Sequence, residues 1–430
     1  MGSKGAVAIC IVVENETVPF DRRVWLEARA LADAGFKVSV ICPKGGPYKK
    51  RRETLEGIDI YRYRALTATS RLGLVCEYLW SLLAQFLLTM RVYAHTRFRI
   101  LHACSPPDIF FSIAVFYKLL GVRFVFDHHD LSPELYAARF GEGGPLYRLV
   151  CLAERFSFKT ADLSIATNET FREIAMVRGR MRPDRVVMVQ SCARLEELAE
   201  TPPSDALRGN FPFMVAYVGQ MEPQDGLELL LHSIRLIVEE QGRHDILFTL
   251  IGKGSELTRL RSSTAEWDRF GQVHFAGRVH HTEVCRYLTA ADVCVAPDPV
   301  NAFNETCSMV KIFEYMAFGR PTVLYDLREG RRSAGGSALY AIPNDTVDFA
   351  KQILRLIDSK SLRTEMGVCG WRRVQDGLNW EAQSKKLVDA YQRLAGRRSA
   401  EVVVPFRRRI IEEEPRTLVG SASRQGNSES

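Results

Sequence analysis

The residues able to do chemistry collect in a few short stretches. In Asn304–Pro321 (NETCSMVKIFEYMAFGRP), Glu305, Lys311 and Glu314 lie in or beside a run whose apolar residues, Met309, Ile312, Phe313 and Met316, recur at helical spacing. The free amides of a helix N-terminus attract phosphate. Lys311 stands in the first turn, and a carboxylate at Glu314 accepts the two hydroxyls of a ribose. These residue types suit a nucleotide. The alternative is a surface ion pair of Lys311 with Glu314 at i,i+3. In Phe126–Asp130 (FDHHD) two histidines stand between two aspartates after a strand-like run. Histidine there is a candidate for acid–base chemistry or for packing. A metal site is not expected, because adjacent side chains point in different directions. Asp21, Arg22 and Arg23 open a helix and suit an anionic acceptor or a donor phosphate, or else a plain helix surface.

Elements that would position these residues follow from periodicity. Ala6–Val13 reads as a strand, Asn15–Asp21 as a loop, Arg22–Ala34 as a helix stopped by Gly35, and Phe36–Cys42 as the next strand. Strands at Ile58–Tyr63, Ile100–Ala103, Phe124–Asp127, Leu163–Ala166 and Val186–Val189 continue one doubly wound sheet. Thr201–Asp205 (TPPSD) is the best linker, after which strands at Met214–Val218, Ile246–Ile251, Val273–Phe275, Val293–Ala296, Thr322–Tyr325 and Ala338–Ala341 restart the pattern. The expected architecture is two β/α domains, with ligands at the carboxyl ends of the strands. The expected bounds are 1–200, 201–377, a helix over 378–396, and a disordered Arg-, Glu- and Ser-rich tail over 397–430.

Composition narrows the class. With 430 residues, 46% hydrophobic and 25% charged, the chain is an ordinary globular protein of about two domains. The net charge of +7 suits an anionic ligand or an acidic membrane surface, while runs such as Lys49–Arg52 read as solvated loops, and no nucleic-acid partner is expected. Ten scattered cysteines without a CxxC read as reduced core residues of a cytoplasmic protein. Leu72–Tyr93 is the most membrane-like segment, but its longest uncharged run, Tyr78–Met90, is too short to span a bilayer. It reads as a core helix or as a peripheral membrane face.

Taken in order, VPFDRRVWLEARALADAGFKVSVICP (Val18–Pro43), HACSPPD (His102–Asp108), FDHHDLSPELYAARFG (Phe126–Gly141), YVGQMEPQDG (Tyr217–Gly226), FAGRV (Phe275–Val279), ADVCVAPDP (Ala291–Pro299) and Asn304–Pro321 resemble the family-4 glycosyltransferases of group 1. The resemblance runs from Val7 to Leu394. It implies an α/β fold of the GT-B type, two facing Rossmann-like domains with a cleft between them. It also implies retaining transfer from a nucleotide-sugar donor, without a cofactor or bound metal. By the same resemblance Glu314 holds the ribose, and His129 lies near the transferred sugar, with Asp130 orienting it or touching the acceptor. The first acidic position of the family falls on Thr306, with Glu305 one place earlier. The usual diphosphate cations are replaced by Gln220 and Asp225. Gly219, Gln220, Lys253, Arg278, Ser308, Met309 and Lys311 are the expected donor-binding set, Lys311 standing in for the missing cations. Trp380–Leu394 resembles the helix that crosses back to the first domain.

The expected reaction passes a sugar to the hydroxyl of a sugar or lipid-linked acceptor in polysaccharide or glycolipid biosynthesis. A peripheral membrane contact is left open. The alternatives are a nucleotide-sugar epimerase of the same fold and a non-catalytic sugar-nucleotide-binding scaffold.

Overall fold

The structure is a computed structural model and describes residues 6–66, 71–197 and 205–396. The expected linker and the 200/201 boundary fall almost wholly in 198–204, and the tail in 397–430, all outside the described residues. The strands are β1 (Ala8–Val12), β2 (Lys37–Pro43), β3 (Arg52–Leu55), β4 (Ile58–Tyr63), β5 (Ile100–Cys104), β6 (Arg123–His128), β7 (Leu163–Ala166), β8 (Val186–Met188), β9 (Phe213–Gln220), β10 (Ile246–Lys253), β11 (Val273–Gly277), β12 (Val293–Ala296), β13 (Thr322–Tyr325) and β14 (Ala338–Ala341). The helices are α1 (Arg22–Asp33), α2 (Arg71–Thr96), α3 (Phe111–Lys118), α4 (Ser132–Phe140), α5 (Gly144–Thr160), α6 (Glu169–Val177), α7 (Leu227–Arg235), α8 (Leu257–Ala265), α9 (His281–Ala290), α10 (Val310–Ala317), α11 (Arg328–Ala334), α12 (Thr346–Asp358), α13 (Lys360–Gln375) and α14 (Trp380–Leu394).

Two sheets result, ordered β3-β4-β2-β1-β5-β6-β7-β8 and β11-β10-β9-β12-β13-β14. Every pairing between these strands is parallel except β3 with β4. Parallel strands are covered on both faces and so are near-continuously apolar; β1 (AICIV) is buried throughout. The β3 edge strand begins at Arg52, so the basic run Lys49–Arg52 is not wholly a loop. It escaped the reading because RETL has no apolar alternation. Helices α4, α6, α8 and α11 were also not expected, each being short.

One face of the first sheet packs on α1 and α14, where Trp380, Leu387 and Tyr391 join Val24, Leu31 and Val40 in one core. The chain's last described helix therefore packs on the first sheet. The other face packs against α2, α3 and α6. At the seam between the two halves, Cys192 and Ala193 share a cluster with Ile312, Phe313 and Met316 of α10. Polar contacts cross the seam as well. Asn168 Nδ2 donates to the Thr306 carbonyl at 2.8 Å, and Glu329 Oε1 accepts from the Thr170 amide at 3.2 Å and its hydroxyl at 2.6 Å.

Candidate active site

His129 follows β6 directly, so strand direction alone carries it to the carboxyl edge of the first sheet. Its Nε2 lies 2.5 Å from Asp127 Oδ2. Asp127 also receives His102 Nε2 at 3.1 Å and Arg23 Nη2 at 3.4 Å. The partner of His129 is thus Asp127, not Asp130. Asp130 lies beyond it on the same loop, where the Ser105 hydroxyl accepts from the His129 amide at 3.0 Å and donates to the Asp130 carbonyl at 3.3 Å.

The charges of this cluster sort themselves. Burial would raise the Asp127 carboxyl, but His129, Arg23 and His102 outweigh it and hold Asp127 well below the usual carboxylate range. Burial, with repulsion from Asp127, pushes Glu27 well above its ordinary value, so of the two carboxyls Glu27 carries the proton. Burial lowers His102, keeping it neutral. An ionised carboxylate only accepts, so both histidines present Nε2–H to Asp127. His102 is left with Nδ1 as an acceptor, and the Tyr391 hydroxyl donates to it at 2.6 Å. Burial lifts Asp130 above its usual range against the pull of His129 and His128.

His102, Cys104 and Asp127 converge closely enough to hold a cation, as do Glu27, Asp127 and His129. Arg23 already supplies positive charge there, 3.0 Å from Glu27 and 3.4 Å from Asp127. Arg23 also donates to the Val189 carbonyl and the Ser191 hydroxyl, both at 3.0 Å. It is an internal strut, which corrects its placement as an acceptor contact. Asp21 is the N-cap of α1, accepting from the Val24 amide at 3.0 Å. Arg22 alone of that trio is exposed, and it lines a small cavity with Arg194, His281 and Glu314.

Across the seam, α10 begins at Val310, with Met309 at its N-cap and no side-chain cap. Asn304–Thr306 forms a separate single turn rather than the helix start. Lys311 is buried and its ammonium bonds both oxygens of Asp298, at 2.8 and 3.0 Å, above the Tyr217 ring. Asp225 lies 3.9 Å away. The Lys311–Glu314 surface pair does not form. Nor is Lys311 an open phosphate clamp, because Asp298 shares its charge. Glu305 accepts from the Arg328 amide at 2.9 Å, at the N-terminus of α11. Ser308 keeps a buried hydroxyl beside Met309. Lys253 and Arg278 are exposed cations at the ends of β10 and β11, and Arg278 lies over the Phe20 ring from the first half.

Strands β9 and β10 approach closely at Gly219 and Gly252, and the loops after β9 and β12 at Gly226 and Pro297. A Cβ on Gly252 would fall 1.8 Å from the Gly219 carbonyl oxygen, and one on Gly226 2.0 Å from that of Pro297. Gly219 therefore keeps the backbone next to Gln220 within reach of Lys253. Asp130 and Cys307 are near enough for the carboxylate to help raise the thiol, after burial, to about 11. The His129 loop and the Thr306–Met309 loop therefore face each other.

Sequence reasoning missed Glu27, His102, Asp298 and Tyr391, and quoted Asp127 without a role. A signal existed for some. Glu27 interrupts the apolar stripe Val24, Ala28, Leu31, and Asp127 ends a strand otherwise fit for burial.

Residues 21–192 match the model of the glycosyl transferase 4-like domain, and residues 212–359 that of the glycosyl transferases group 1. The chain is a group 1 glycosyltransferase. Its two parallel-sheet domains have the GT-B architecture of known structures. Sucrose-phosphate synthase from Thermosynechococcus elongatus superposes with a TM-score of 0.73 at 20% identity, over 91% of this chain and 99% of that one. Anabaena HepE, solved with UDP-glucose, gives 0.65 at 14% identity over 90% and 99%. The amylovoran biosynthesis glycosyltransferase AmsK of Erwinia amylovora is 24% identical over 191 residues, 43% of this glycosyltransferase and 46% of the relative. The chain spans 46% to 60% of the lengths of the curated relatives it matches.

Proposed function

We propose that this glycosyltransferase moves a hexose from a nucleoside-diphosphate sugar to an acceptor hydroxyl with retention, in polysaccharide or glycolipid assembly. The observation that carries the reading is the His129–Asp127 contact of 2.5 Å, set opposite the uncapped start of α10. The solved HepE–UDP-glucose complex and the amylovoran relative support the donor class and the setting. Diphosphate would lie at the first-turn amides of α10, with Lys253 and Arg278 as the open cations and Ser308 as a hydroxyl donor. Glu314 takes the ribose.

In the transfer, the anomeric carbon–phosphate oxygen bond breaks and a bond to the acceptor oxygen forms on the same face. The acceptor proton passes to the departing phosphate oxygen. His129, its Nε2 held by Asp127, presents Nδ1 toward the sugar. Charge builds on the leaving diphosphate, where amides and cations stabilise it.

Release of nucleoside diphosphate from a panel of nucleotide sugars, with proton NMR of the product anomer, tests this. His129→Ala and Glu314→Ala should each lower kcat/KM by about a hundredfold or more. Undiminished turnover in both would sink the site assignment, and donor isomerisation without transfer would favour an epimerase.

A further inference from the structure

Helix α2 is built inside out. Ser81, Gln85 and Thr89, spaced four apart, are fully buried. Ser81 donates to Glu14 at 2.9 Å and Gln85 to the Tyr63 hydroxyl at 3.0 Å. The opposite stripe, Leu79, Leu83, Leu87 and Met90, is 38% to 59% exposed. A helix on a water-facing surface carries the reverse pattern. Phe116 on α3 and Leu119 at its C-cap continue the apolar stripe, and on α5 Leu149, Leu152 and Phe156 do so. Ring contacts join the three helices, Phe86 with Phe116 at 5.4 Å and Phe111 with Phe156 at 5.5 Å. So large a continuous apolar patch marks an interaction surface.

A cavity of about 840 Å³ opens off this face. Its walls include Leu79, Leu135, Leu149, Val150 and, from the second half, Phe303. Leu79 and Leu149 belong to both the wall and the open face. The cavity also runs along Pro106–Asp108 and Ser132, segments that flank the His129–Asp130 loop through Ser105. Pocket and face share Leu79 and Leu149, and the pocket wall reaches Pro106 and Ser132, which adjoin Ser105 and the His129–Asp130 loop in sequence.

The exposed charges of α3 and α5 are Lys118, Arg148, Arg155 and Lys159, all positive. Two copies meeting on a twofold axis would set this fringe against itself. An anionic bilayer surface meets it favourably. No described helix is long and apolar enough to cross a membrane, so the contact is superficial.

We propose that the α2–α3–α5 face rests on an anionic membrane, and that the cavity takes the hydrocarbon chain of a lipid-linked acceptor whose hydroxyl reaches His129. This rests on the transfer reading above and assigns its acceptor class. The apolar chain leaves water at the cavity mouth, and the polar head continues past Asp108 to the cleft.

The test uses the full chain in flotation with phosphatidylcholine vesicles, with and without phosphatidylglycerol. Wild type should float with the anionic vesicles, and Leu83→Glu/Leu87→Glu should weaken binding about tenfold or more, since two exposed leucines lose their apolar contact, with an unchanged Tm. Below micelle-forming concentrations, dodecyl glucoside should bind more tightly than octyl glucoside, and Val150→Trp, which fills the cavity, should remove that difference. Failure to bind vesicles, equal binding by the double variant, equal affinity for the two glucosides, or a dimer that the double variant splits would each overturn the proposal. Stabilisation of the protein by any of a panel of nucleoside diphosphates in the same preparations separates the readings. Retained with no vesicle binding, it leaves donor use intact and removes only the membrane assignment. Absent with vesicle binding, it removes the transfer reading and the acceptor role with it.

Discussion

The Tyr391 hydroxyl donates to Nδ1 of His102 across 2.6 Å, although the two residues are 289 positions apart. Through His102 and Asp127 that bond reaches His129, so a residue on the last described helix sets the orientation of a ring in the cleft. Each bond fixes the next because the ionised Asp127 can only accept.

Tyr391→Phe should therefore act on the reaction without touching a ligand. Loss of one buried hydrogen bond is worth about 1 kcal/mol, which corresponds to a several-fold fall in kcat. It should also shift the pH profile of kcat, because His102 loses the donor that holds its tautomer. Affinity for whichever nucleotide sugar the panel identifies should stay unchanged. An unaltered pH profile, with only a lowered Tm, would reduce Tyr391 to packing.

Lys311 and Asp298 form a buried ion pair, so breaking one side should cost more than removing both. Asp298→Ala leaves a buried ammonium and should destabilise by about 3–5 kcal/mol. The paired replacement Lys311→Met/Asp298→Leu should recover most of that loss in urea unfolding. If the double variant is no more stable than Asp298→Ala, the pair is not the source of the cost.

Burial pushes Asp108 up to about 7, against the attraction of His128 and with repulsion from Glu154. The sign follows from proton binding. Between the unfolded value near 4 and the folded value the native state holds a proton that the unfolded chain has released, so stability falls as pH rises through that window. Glu14, also raised to about 7 mainly by burial, acts in the same direction. Asp108→Asn should flatten, but not abolish, the decline of Tm between those limits. A profile as steep as wild type would count against the assignment.

Glu329 accepts from Thr170 across the seam and also holds Arg332, whose other nitrogen lies 3.0 Å from Glu173. Glu329→Ala removes the acceptor of the Thr170 amide and hydroxyl protons, although Arg332 still donates to that hydroxyl at 3.3 Å, and should cost about 1–3 kcal/mol. It should also loosen the two halves, seen as a larger radius of gyration in X-ray scattering and a higher donor KM. No change in scattering or KM would show that the latch does not hold the cleft.

Much of the architecture was legible along the chain. The apolar runs at Ala8–Val12, Val293–Ala296 and Thr322–Tyr325 are local signals, and parallel strands need them because both faces are buried. Placing His129 at a strand-end loop needed only strand direction, and Glu314 fell within the helix that the apolar spacing marks. The first turn of α10 was less clear, because Asn304–Ser308 carries cap-forming residues that here build a separate turn.

Partners were another matter. His129 could have been served by Asp127, two positions before it, or by Asp130, the next residue. Only the pleat and the neighbouring strand β5 decide, since Cys104 pairs with Asp127 and brings His102 alongside. Lys311 has Glu314 one turn away, yet bonds Asp298 because β12 ends beneath it. The outward stripe of α2 is invisible to periodicity, which finds a helix but not the side that faces the protein. Strand direction and burial pattern are properties of neighbours in the chain. Pairing, proton position and exposed face depend on elements far apart in sequence that packing brings within hydrogen-bond reach.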